Sequence, residues 1–77
     1  MISVGSMVTL VANFADRAEH LYTGHRCEVP AHFGVLTRGT IGLVLETYNN
    51  LQGLRSVRLM VPGGRSGWIQ RFYLEVL

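Results

Sequence analysis

The sequence predicts an all-β domain: a small antiparallel barrel of five short strands with a long loop between the first two. Three observations lead there. Short β-branched and aliphatic runs recur along the chain, at 7–12, 40–48 and 56–61. Turn-forming residues separate them, at Asn49-Asn-Leu-Gln-Gly53 and Pro62-Gly-Gly64. No segment sustains the period of a long helix. Five separate short strands would leave exposed edges, and closing them into a barrel removes those edges.

In chain order, the first strand is Met7-Val-Thr-Leu-Val-Ala12, approached through Gly5-Ser6. Residues 13–37 follow as the loop. They hold all three histidines, the cysteine, both signs of charge and Pro30, without a lasting period of two; at most Asp16 to Leu21 makes one helical turn. Thr40 to Tyr48 is the second strand, with Ile41, Leu43 and Leu45 on one face and Gly42, Val44 and Glu46 on the other. Ser56 to Val61 is the third, with Val57, Leu59 and Val61 inward and Ser56 and Arg58 outward. The tail from Ser66 reads as a strand, a tight turn near Arg71-Phe-Tyr73, and a closing strand Leu74-Glu-Val-Leu77. The expected organisation is one domain over 1–77.

Length and composition narrow the function. Seventy-seven residues supply only a thin core, and catalytic clefts generally lie between layers or domains of larger chains. With 48% hydrophobic residues and a formal charge of +2 the chain is not of the disordered class. No apolar run reaches the roughly 20 residues of a membrane helix, so no membrane partner is expected. Met1 to Gly5 lacks the charged and apolar regions of a secretory signal. The lone cysteine, Cys27, excludes an internal disulfide and suits a reducing compartment, which makes a cytoplasmic location the expectation.

Every basic side chain is arginine: Arg17, Arg26, Arg38, Arg55, Arg58, Arg65 and Arg71. From Leu51 onward four arginines face the single acid Glu75, whereas the first fifty residues carry three arginines against four acids. Guanidinium groups make planar, two-pronged contacts with carboxylates and phosphates. A solvated sheet face would carry the same residues.

From Leu36 onward the layout resembles the Src-homology-3-like small barrel. Arg38-Gly-Thr40 stands where that family has a Lys-Gly-Asp diverging turn, and Gly67-Trp-Ile-Gln-Arg-Phe-Tyr-Leu-Glu75 resembles the family ending Gly-Leu-Phe-Pro-Ser-Asn-Tyr-Val-Glu. The resemblance implies that Gly39 supplies turn geometry, that Trp68 or Ile69 and Leu74 contribute core, and that a 3₁₀ turn precedes the last strand. It departs from the proline-peptide-binding members: their first-strand Tyr is Ala12 here, their Trp position falls near Leu54 to Ser56, their Pro is Gln70 and their Asn is Phe72, so that only Tyr73 and Phe14 remain of the platform. In size and plan the chain is similar to the variable chain of ferredoxin–thioredoxin reductase and the small stromal barrel subunit of photosystem I. Small barrels of bacterial or phage type with such endings also stand alone. The reductase chain and the photosystem subunit stabilise a larger partner and perform no chemistry of their own, and no functional residue carries over from any of these barrels.

His20, His25, Cys27 and His32 have the spacing His-x₄-His-x-Cys-x₄-His, a set of nitrogen and sulfur donors for zinc, but lack the Cys-x₂-Cys pairing of specific zinc motifs; loop histidines are equally ordinary, and the expectation is no metal and no cofactor. Cys27 as a nucleophile requires a rigid base and an oxyanion site, and Ser6, His20 and Asp16 form a triad only on paper. Pro62-Gly-Gly-Arg-Ser-Gly67 precedes a strand, so it reads as a turn and not a phosphate loop. Trp68-Ile-Gln70 is a faint echo of the pore segment of plasmid-type dihydrofolate reductase. Trp68, Phe72, Tyr73 and Tyr48 beside the arginines could stack bases.

The expected function is a non-catalytic protein-interaction or accessory module, with self-association as one form of it; the alternative is a nucleic-acid-binding barrel using the Arg-rich C-terminal strands. Partner-binding residues are expected at Phe14, Arg58, Arg65, Trp68, Arg71 and Tyr73, beside the loop from His20 to His32.

Overall fold

The computed structural model describes residues 2–11 and 19–77, with residues 19 and 32–34 described by their backbone. Among the described residues seven strands make one antiparallel sheet: β1 (Met7–Leu10), β2 (Glu19–Tyr22), β3 (Pro30–Leu36), β4 (Ile41–Asn49), β5 (Arg55–Met60), β6 (Ser66–Gln70) and β7 (Leu74–Val76). A single 3₁₀ turn, η1 (Arg71–Tyr73), precedes β7 as expected. The strand order is β3-β2-β6-β5-β4-β1-β7, and among the described residues the sheet is not closed. No helix is long and apolar enough to cross a membrane among these residues.

The count of five strands is corrected to seven, because the segment read as a loop contributes the β2–β3 hairpin. Its pairing is irregular: the register runs Glu19 to Leu36 and His20 to Val35, then shifts so that Tyr22 meets Pro30. What holds the hairpin is one aliphatic side chain per strand, Leu21 and Leu36, both essentially inaccessible to solvent. Pro30 lacks an N–H, and its place at the start of an outermost strand leaves no ladder bond broken.

Among the described residues the buried core is aliphatic: Val8, Leu10, Leu21, Leu36, Val44, Val57, Leu59, Val61, Ile69 and Leu74. Ile69 and Leu74 join it as the family layout implies, whereas Trp68 stands half-buried on the opposite face. Gly39 adopts φ +88°, where a side chain would be strained, and its N–H reaches the carbonyl of Leu10 at 2.9 Å. That bond ties the β3–β4 turn to β1.

In β4 the buried face is that of Gly42 and Val44, so Ile41, Leu43 and Leu45 stand on the more accessible side. The face then changes. Val44 is opposite Leu59, but Glu46, not Leu45, is opposite Arg58, and Thr47 is opposite Val57. One extra residue in β4 reverses its parity, as a β-bulge does. Beyond it Glu46 and Tyr48 join the outer face, and Thr47 and Asn49 turn to the core side.

Candidate interaction surface

Two surfaces emerge from this register. On the outer face of β4, β5 and β6, the pairings Tyr48–Ser56–Gln70 and Glu46–Arg58–Trp68 set polar and aromatic side chains in two rows. The turn between β2 and β3 folds over that face. Thr23 N–H donates to the carbonyl of Val29 at 2.9 Å and Cys27 N–H to that of Gly24 at 3.0 Å, which tightens the turn. Ser56 Oγ donates to the carbonyl of His25 at 2.7 Å. The His25 ring lies 4.0 Å from the Tyr48 ring and 6.0 Å, nearly edge-on, from Trp68. Ser56 was expected to face outward and does, yet it is buried, because the turn covers it.

Cys27 sits in this turn at φ +57°, a conformation that costs a non-glycine residue about 1 kcal/mol. Its Sγ lies 3.8 Å from the His25 carbonyl oxygen, and burial pushes the thiol up from its ordinary range. Both features favour the protonated thiol over a nucleophilic thiolate.

The second surface is the open end of the core. Arg55 and Arg71 are the next neighbours beyond the Ser56–Gln70 pair. Strand parity puts Arg55 on the face of Val57 and Leu59, just past the last core layer. Both arginines line a cleft of about 710 Å³ with Ile2, Val4, Thr47 and Leu51, and a smaller adjoining one of about 360 Å³ with Leu54, Gln70 and Phe72. Neither cleft is lined by a carboxylate, and neither arginine has an ion-pair partner among the described residues. The β4–β5 turn forms one wall: Asn50 Oδ1 accepts from the N–H groups of Gln52 and Leu54 at 3.0 and 2.8 Å, which leaves Leu51 fully exposed at the tip.

The expected site residues do not form one patch. Arg58 and Trp68 are register partners on the outer face, and Arg58 Nε pairs with Glu46 Oε2 at 2.6 Å. Arg65 Nη1 donates to the Val35 carbonyl at 3.3 Å. Arg71 belongs to the open end of the core. Tyr73 packs half-buried against the core with its ring 4.1 Å from that of Phe72. Phe14 lies outside the described residues. Of the four loop donors, His20 is in β2, His25 and Cys27 are in the turn, and His32 is in β3, described by its backbone. Among the described residues no three histidine, cysteine or acidic groups are gathered to hold a metal.

Sequence reasoning passed over Arg55, which stands two residues before Val57 and shares its face; that spacing was the available signal. The role of His25 had no such signal, since its partners lie 23 or more residues away in β4, β5 and β6. No protein-family model, no curated protein and no solved structure matches this chain.

Proposed function

We propose that the chain is a non-catalytic protein-interaction module on a Src-homology-3-like small barrel, acting in the cytoplasm. The order β7-β1-β4-β5-β6, the long excursion between β1 and β4, and the 3₁₀ turn before β7 support that architecture. One observation carries the functional reading: Val4, Leu51 and Phe72 stand 64%, 107% and 60% exposed around the clefts at the open end of the core. Apolar side chains gathered at a concave surface are what a partner chain covers. A second copy of this chain is one such partner.

The charge arrangement favours protein over nucleic acid. Arg58 is already neutralised by Glu46, and the arginines at the clefts are bordered by aliphatic side chains rather than by a row of stacked rings.

The test is a photo-crosslinking residue placed at Leu51 or Phe72, with Pro62 in the far turn as control, in cells that express the protein. A protein adduct of defined mass from the first two positions and not from Pro62 supports the module. Equal labelling from all three, or adducts that nuclease removes, overturns it. Sedimentation of the purified chain across a wide concentration range separates self-association from capture of another protein.

A further inference from the structure

We propose that Arg55 and Arg71 form a two-pronged carboxylate clamp, and that the segment this surface receives is an acidic peptide carrying apolar side chains. The proposal rests on the interaction-module reading and adds the chemistry of its partner.

The register is the starting point. Ser56 pairs with Gln70, and Gln70 is still extended, at φ −67° and ψ 137°, so the chain delivers Arg71 to the position beside Arg55. Arg55 ends β5 and Arg71 opens η1, and like charges held at neighbouring positions repel. Elsewhere on the C-terminal strands the chain supplies an acceptor: Arg58 has the Glu46 carboxylate and Arg65 the Val35 carbonyl. Arg55 and Arg71 have no carboxylate among the described residues, and none lines either cleft they share. A carboxylate between them removes the repulsion and adds charge-assisted hydrogen bonds.

The apolar neighbours select the source of that carboxylate. Ile2 is packed against the core as the floor beside the arginines, and Val4, Leu51 and Phe72 form the rim. A free anion would leave these side chains in water. A nucleic acid strand would present phosphates to the arginines but needs several ring faces for its bases, and Phe72 is the one aromatic side chain lining these two clefts. A peptide with glutamates flanking leucines satisfies both the cations and the apolar rim.

The experiment is fluorescence anisotropy on the full chain with three labelled probes: a peptide of alternating Glu-Glu-Leu units, the same peptide with Gln in place of Glu, and single-stranded oligothymidine. Expected is saturable binding of the Glu-Leu peptide, weakened about ten-fold or more by Arg55→Gln or by Arg71→Gln and unchanged by Arg38→Gln, a substitution in the β3–β4 turn. Melting curves of each variant confirm that it is folded. Equal binding of the Glu and Gln peptides, or equal loss with Arg38→Gln, overturns the clamp. So does tighter, competing binding of the oligonucleotide, which would make the arginines a phosphate site. Failure of the clamp with intact crosslinking from Leu51 and Phe72 leaves the module standing with a neutral apolar partner; loss of both removes the module as well.

Discussion

Ser56 Oγ, buried on the outer face of β5, hydrogen-bonds at 2.7 Å to the carbonyl oxygen of His25, a residue 31 positions earlier in the chain. This bond fastens the β2–β3 turn to the sheet, and the His25 ring then settles against Tyr48 and Trp68. Ser56→Ala removes the donor and leaves the carbonyl without this partner. The expected cost is about 1 kcal/mol in urea denaturation, with faster amide exchange at Thr23 and Cys27 than in β4 and β5. Unchanged exchange in the turn would show that ring packing alone holds it.

Gly67→Ala attacks the same hairpin from beneath. A Cβ there would lie 2.8 Å from the Cβ of Leu21 and 3.0 Å from the carbonyl oxygen of Tyr22, and neither can swing aside as a side-chain tip would. About 1–3 kcal/mol of destabilisation is expected, localised by exchange or proteolysis to β2 and β3.

Leu21→Ala tests whether the hairpin belongs to the cooperative core. Leu21 is fully buried, so truncation is expected to cost about 2–5 kcal/mol with a single unfolding transition. A cost well under 1 kcal/mol, or a separate early transition for the hairpin, would contradict that packing.

The Cys27 thiol predicts a pH dependence whose sign follows from its raised pKa. The folded state holds the proton more tightly than the unfolded state, so this contribution to stability is complete below the ordinary value of 9.0 and declines as pH rises through and beyond it. Cys27→Ser is expected to flatten that alkaline decline. Alkylation of the folded wild-type thiol at neutral pH is expected to be slower than that of the unfolded chain.

The Arg58–Glu46 pair is exposed on both sides, 37% and 52%, and solvent screens it. Glu46→Gln is expected to change stability by about 0.5 kcal/mol or less, less still in high salt. A larger effect would mean that the pair organises the outer face rather than decorating it.

Local chemistry was legible in the sequence. Gly53, Gly63 and Gly64 adopt positive φ in turns expected from their clusters of turn formers, Gly39 does so where the resemblance implied it, and the tight turn at Arg71–Tyr73 is a 3₁₀ turn. The hairpin β2–β3 was not legible, because His20, Tyr22 and Pro30 carry no alternation and one leucine per strand is too sparse a pattern. Of the expected site, Arg58 and Trp68 share the outer face while Arg71 and Tyr73 lie elsewhere, since neighbourhood in sequence says little about neighbourhood across a sheet. Arg55 shares its surface with Arg71 through a pairing that joins β5 to the end of β6.

The sequence by itself determined that this chain is all-β, where its C-terminal turns fall, and that Val57, Leu59 and Val61 alternate into the core. These are properties of single residues and short windows: a glycine that tolerates positive φ, a β-branched run that prefers an extended backbone. Tertiary structure decided the rest. The extra residue at Leu45 reverses the parity of β4, so Tyr48 meets His25 instead of the core. Ser56, polar and outward by pattern, is buried because a turn from the first half of the chain descends on it. Register and long-range pairing depend on which strands find each other, and a one-residue shift exchanges the faces of an entire strand.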